Sequence, residues 1–464
     1  MNWILLALVA YLVLQLGIGA WLAPKIHTED DYLVAGRKLG YPLTIFSIFA
    51  TWFGAETCIS SAGRAYEEGF SLTSAEPFAY GVTLMLTGLI FAVRIWRLKL
   101  TTMADLFRLR FGPGVERLAA LMLIPPSVLW AGAQLRGFGQ VLTTITALNL
   151  STAIAAAAAF CVLYTVLGGL MADAITDLIQ GSILVVGLVG LVVAVVMHQG
   201  GIEATLAGID PSRLALVGPD VSPSFVGLLE EYAIPIAGSV VAVELISRVI
   251  AARSPEVARN GAVMAGGLYI VVGILPVFLG LVAWRLVPSL PDSEQILPAL
   301  ALEMLPTAGY VIFVGALISA ILTTVDTILL VAGGLAAHNL VAPMLGVTSE
   351  RAKLRLARMG VLVFGVVALT LALGAQGVAE LVEESSSFGT AGALVVVSFG
   401  LFTRIGGPRA ATVSLLGGLA SYLGATLAGL PYPFITSLAV AVAAYLLVGL
   451  TEPRHSGIPF PSPG

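Results

Sequence analysis

Apolar residues run along this chain in long blocks separated by short polar stretches, the pattern of a protein that crosses a bilayer repeatedly. Thirteen blocks lie near residues 3–23, 42–63, 73–95, 117–147, 150–169, 174–198, 226–249, 260–284, 309–337, 355–375, 378–402, 408–429 and 431–450. Each approaches the ~20 apolar residues that a helix needs to cross ~30 Å of hydrocarbon. No water reaches that depth, so every backbone amide must bond within its own segment, and the blocks read as helices. The fourth and ninth exceed the required length and predict tilt or juxtamembrane turns. The expected fold class is therefore an all-α polytopic membrane protein with about 13 transmembrane helices.

Composition agrees. The chain is 58% hydrophobic and 11% charged, against roughly 25% charged in a soluble domain. Its net charge of −4 matters less than how the charge is sorted. With the N-terminus outside, all but four of the 23 Lys and Arg fall on the cytoplasmic side; Arg64, Arg213 and Arg285 lie outside and Arg136 within a span. The positive-inside rule then predicts an inner (plasma) membrane protein with N-terminus out and C-terminus in. Block 3–23 lacks a basic leader and a small-residue cleavage site, so it reads as a retained first helix. Cys58 and Cys161 sit in apolar surroundings, and the four histidines show no ligand spacing and read as solvated loop residues. No polar stretch could house a kinase, a nucleotide-binding cassette or a nucleic-acid module, and no GxxxxGK[ST] loop is present.

Within the ninth block, Ser319-Ala-Ile-Leu-Thr-Thr-Val-Asp-Thr327 places three Thr hydroxyls and a carboxylate at membrane depth. Intramembrane carboxylates usually mark an ion or substrate path, and hydroxyl and carboxylate oxygens suit hard cations. Helical spacing puts Ala320, Thr323, Thr324 and Thr327 on one face. A single Thr could simply bond its own helix or join two helices; four oxygen-bearing residues within five positions point to an ion site. The second block carries Ala50-Thr-Trp-Phe-Gly54-Ala-Glu56, where Gly54 permits unwinding and Glu56 is hard to place in lipid. Gly54 could instead mark a close helix contact. Blocks two to six (42–198) and seven to eleven (226–402) are two odd-numbered sets of five, as in inverted-repeat transporters. Residues 3–23 add one helix before them and 408–450 two after, all within a single transporter domain over 1–464.

Five stretches between about residues 30 and 410 together resemble the sodium/solute symporter family, which has the LeuT-like inverted-repeat fold. They are Tyr32–Arg37, Gly63–Gly69, Gly168–Gln180, Arg248–Ser254 and Ala320–Thr327, in family order. One departure is Ser247, where the family often has Gln. The resemblance implies a sodium site made by the carbonyls of Ala50, Phe53 and Ala320 with the hydroxyls of Thr323 and Thr324. It also implies a possible second sodium held by Asp177, Thr323, Asp326 and Thr327. Trp52 and Trp130 resemble two walls of the aromatic box in the choline-transporter branch; the third wall falls near Ala242 and is missing. Glu244 lies close by, so the substrate set implied is Trp52, Glu56, Trp130 and Glu244, with Glu76 a further carboxylate at depth.

The function expected is sodium-coupled secondary symport of a small organic solute inward by alternating access, with a lean to a cationic amine. The alternatives are a proton-coupled symporter of the same fold for a neutral or anionic solute, or a transporter-like sensor. Na+, the solute and the lipid bilayer are the expected partners; enzymatic chemistry and nucleic-acid binding are not expected.

Overall fold

A computed structural model describes residues 3–71, 76–215, 224–288 and 290–453. Arg454 and His455, which enter the charge and histidine readings, lie outside these residues, as does the start of block 73–95. The described chain is almost entirely helical, with a two-residue parallel pairing of β1 (Phe70–Ser71) and β2 (Leu214–Ala215). In order come α1 (Trp3–Leu22), α2 (Glu29–Val34), α3 (Tyr41–Trp52), α4 (Glu56–Glu67) and α5 (Phe78–Arg97). There follow α6 (Ala104–Phe111), α7 (Pro113–Ile145), α8 (Leu150–His198), α9 (Phe225–Ser239), α10 (Val243–Ala251) and α11 (Pro255–Leu286). The rest are α12 (Ile296–Met304), α13 (Thr307–Leu345), α14 (Glu350–Gly374), α15 (Val378–Ser387), α16 (Thr390–Phe402), α17 (Pro408–Leu427) and α18 (Pro433–Gly449).

By length and composition, ten spans are found among the described residues when each bent pair counts once. The reading of thirteen is consistent with this if α1 and α18 are added and α8 is divided at Gly169. That division has a physical basis. Gly169 adopts φ 63°, ψ 174°, and the Tyr164 hydroxyl lies 2.8 Å from Thr176 Oγ1. Residues twelve apart on an uninterrupted helix would be ~18 Å apart at 1.5 Å per residue. The chain therefore reverses there, and a Cβ on Gly169 would sit 2.7 Å from the Tyr32 ring. Tyr32 in turn donates to the Thr165 carbonyl at 3.0 Å, tying α2 to the turn.

Two spans are broken. α3 and α4 meet at 60°, and α9 and α10 at 44°. The first break lies where Gly54 suggests; the second, at Val240–Ala242, carries no glycine at the bend itself and has no counterpart among the sequence expectations. α13 runs through the middle of the bundle, with 89% of its apolar window buried against 28% for α14. It packs on α7 and α8, so its polar face looks at protein.

One expectation needs correcting. His338, near the end of α13, is not a solvated loop residue: its Nδ1 lies 2.9 Å from Glu29 Oε2 and its Nε2 3.3 Å from Asp105 Oδ1. Its neighbour Asn339 donates to Asp105 Oδ1 at 3.0 Å and Glu116 Oε1 at 2.8 Å. Together they lock α2, α6, α7 and α13 at that end of the bundle. His27 and His198 are exposed, as expected.

Candidate functional site

α3 ends because its ladder stops at Trp52. The Phe53 amide still donates to the Phe49 carbonyl at 2.8 Å, but Phe53 itself turns to φ −91°, ψ 61°. Beyond it, Gln134 of α7 closes the gap. Its Oε1 accepts from the Ala55 amide at 2.7 Å, and its Nε2 donates to Glu56 Oε2 at 2.5 Å. A Cβ on Gly54 would collide with Gln134 Oε1, so only glycine lets this strap approach. The last turn of α3 faces α13: Thr323 Oγ1 lies 3.0 Å from the Ala50 carbonyl and 2.8 Å from that of Ala320. Thr324 Oγ1 lies 3.5 and 3.1 Å from the same two oxygens. Four of the five residues implied for the sodium site thus converge as neutral oxygens, fully or almost fully buried. The fifth, Phe53, is the terminal residue of the same break.

Of the residues implied for a second ion, Asp177, Asp326 and Thr327 lie around a charge that the sequence motifs leave unassigned, whereas Thr323 stays with the Ala50 and Ala320 carbonyls. Arg248 of α10 is fully buried and its Nη2 bonds Asp173 Oδ2 and Thr327 Oγ1. It lies 3.8 Å from Asp177 Oδ2, which also accepts from Ser47 Oγ at 2.6 Å. Thr327 Oγ1 donates to Asp173 Oδ2 at 2.9 Å, and the Thr327 amide donates to Asp326 Oδ1 at 2.9 Å. Oδ1 of Asp173 and of Asp177 are buried with no partner. Asp173, Arg248 and Ser47 are therefore additions to the expected set. Asp173 and Asp177 are one helical turn apart, and Arg248 is an unexplained charge in an apolar block; both signals are legible in the chain.

All four residues implied for the substrate line one cavity with about 580 Å³ of space between its atoms, open mouth included. It lies between the two breaks. Trp52 and Trp130 have ring centroids 5.3 Å apart at 59°, and Tyr80 stands 5.9 Å from Trp52. Trp130 Nε1 donates to Glu56 Oε1 at 3.1 Å. Glu244 is 3% exposed, and its Oε1 has no partner. Glu76 is not among the lining residues; it meets the Tyr269 hydroxyl at 2.8 Å and Thr57 Oγ1 at 3.3 Å.

Among known proteins, the sodium:solute symporter family model matches residues 32–418. The chain belongs to this family. It is a multi-pass membrane transporter, a sodium-coupled solute symporter rather than an enzyme. The high-affinity choline transporter 1 of Caenorhabditis elegans is 26% identical, over 81% of this chain and 69% of its own. The sodium-coupled monocarboxylate transporter 1 of Homo sapiens is 24% identical, over 98% of this chain and 76% of its own. The fold is shared with a solved Na+-coupled sialic acid symporter in a substrate-bound outward-open state, with a TM-score of 0.84 and 16% identity over 98% of both chains. One of these relatives is named for a cation and another for an anion, so family membership leaves the solute open.

Proposed function

We propose that this symporter uses the oxygens of Ala50, Phe53, Ala320, Thr323 and Thr324 to hold the coupling sodium, and takes a small organic cation into the cavity lined by Trp52, Glu56, Trp130 and Glu244. One observation carries the ion assignment: two hydroxyls of α13 face the freed carbonyl of a broken helix, at 3.0 and 3.5 Å. An ion at that point would tie the first half-helix of one repeat to the third span of the other. Such ties let bound sodium favour one arrangement of the repeats over another, the requirement for alternating access. The protein sits in the plasma membrane, N-terminus outside, and each sodium moved inward adds about 2.3 kcal/mol per 100 mV of membrane potential.

The charged cluster supports a second reading. One guanidinium pairs with Asp173 and Asp177, and Asp326 is buried beside Thr327 in the same cluster, which leaves two formal negative charges unbalanced if all three ionise. A second cation, sodium or proton, would balance part of that charge at Asp177, Thr323, Asp326 and Thr327.

Uptake of labelled organic cations, sugars and monocarboxylates into proteoliposomes, under imposed gradients, tests both. Uptake of an organic cation driven by sodium, and unaffected by a proton gradient alone, is expected. Uptake driven by protons in sodium-free buffer overturns the sodium assignment; two sodium ions per solute, by reversal potential, would support the second site.

A further inference from the structure

Both broken helices begin their second half with a carboxylate in the first turn, Glu56 in α4 and Glu244 in α10. Acidic residues at a helix N-terminus are favoured by the dipole alone, so position by itself assigns no ligand. The surroundings distinguish them. Both oxygens of Glu56 have donors, Trp130 and Gln134. Glu244 Oε1 is buried without one, in a lining that contains no Lys, Arg or His. Three hydroxyls of the lining have other partners. Ser127 is the one within reach of Glu244, and its Oγ donates to the Leu123 carbonyl at 3.3 Å. Ser385 Oγ donates to the carbonyl of Pro126 at 2.7 Å, and Ser386 Oγ pairs with Tyr80 at 3.1 Å. A buried carboxylate oxygen left without a donor is destabilising, so the site asks its ligand for one. Trp52 Nε1 is the complementary case, a buried donor on the same cavity with no acceptor.

We propose that the solute is a protonated amine with at least one N–H that also carries an oxygen acceptor, its N–H on Glu244 Oε1 and its oxygen on Trp52 Nε1. This rests on the cavity being the solute site. Aromatic faces attract any organic cation, quaternary or not. Of the ammonium groups themselves, only one that bears N–H can also donate to Glu244 Oε1. Glu244, two residues beyond Ala242, adds a directional acceptor to the same lining.

The test is a methylation series on one skeleton: ethanolamine, N-methylethanolamine, N,N-dimethylethanolamine and choline, read as thermal stabilisation of the purified protein in sodium buffer. Wild type should respond to ethanolamine at concentrations at least ten-fold below those needed for choline. Glu244→Gln should abolish that preference, and a sodium-induced Tm shift reports that the variant is folded. The series on wild type needs no variant, so a misfolded Glu244→Gln leaves the proposal open to refutation. Choline acting as strongly as ethanolamine, or stabilisation by a sugar or monocarboxylate with none by any amine, overturns it. In either event Trp52→Ala separates the two ideas. If it abolishes the response that is seen, the cavity is still the solute site; if it leaves that response intact, the cavity assignment falls as well.

Discussion

The two broken helices occupy corresponding places in the two halves of the bundle and bend by 60° and 44°, yet their polar groups are used in opposite ways. At α3/α4 the protein satisfies its own break. Gln134 serves both the Ala55 amide and Glu56, Trp130 takes the other Glu56 oxygen, and the freed Ala50 carbonyl meets the Thr323 and Thr324 hydroxyls. At α9/α10 the carboxylate after the break is left open at Oε1, while one turn later Arg248 turns away from the cavity to the aspartates of α8. A break closed by the protein's own groups presents fixed oxygens, which suit a small ion. A break left open presents an unmet need, which suits a solute that arrives and leaves.

Several substitutions separate these roles. Arg248→Met should have the largest effect, because it leaves Asp173 and Asp177 without their shared cation in a fully buried site. Removing one partner of such a pair costs about 3–5 kcal/mol, and no monodisperse peak is expected on size exclusion; a folded, sodium-responsive protein would show that the cluster is not ion-paired. Next comes Gln134→Leu, which orphans the Ala55 amide and Glu56 Oε2 at about 1–3 kcal/mol for each group. Its Tm should fall well below that of Glu244→Gln, and equal shifts would erase the contrast between the two breaks. Gly238→Ala and Gly54→Ala should each cost about 1–3 kcal/mol through overpacking. Gly238→Ala should be the worse, since its Cβ would collide with the Ser386 backbone carbonyl, whereas that of Gly54 meets the oxygen of a side chain that can give way. The reverse order would mean that the Gln134 strap is stiffer than the α15 backbone. Smallest is Ser47→Ala, which removes one donor to Asp177 and one acceptor for Arg248 at about 1 kcal/mol; it should lower Tm slightly and leave the sodium response in place.

Much of this architecture is legible in the amino-acid sequence. Block lengths name the helices because lipid forbids unsatisfied backbone, and Gly54 with Glu56 marks the first break. Thr323 and Thr324 stand out because hydroxyls are conspicuous in an apolar run. The second break is less legible: Val240–Ala242 themselves read as ordinary apolar helix, and the signal lies just before them, in Pro235 and the Gly238-Ser239 pair, residue types at which helices kink. The strap by Gln134 is hidden, since a glutamine 79 residues from its partner leaves no local pattern. The role of Arg248 needs the fold to bring α8, α10 and α13 together. Glu244 is visible as a residue, but its orphaned oxygen is a property of the neighbours that turn away from it.

The central claim is that sodium is held where α3 breaks against α13, and its most direct test is the sodium dependence of thermal stabilisation in wild type, Thr323→Ala and Thr323→Ser. Losing one oxygen that bonds a charged partner costs about 1.5–3 kcal/mol. The half-effective sodium concentration of Thr323→Ala should therefore rise at least ten-fold, while Thr323→Ser, which keeps the hydroxyl, should stay near wild type. A folded Thr323→Ala protein that responds to sodium at the wild-type concentration would contradict the account.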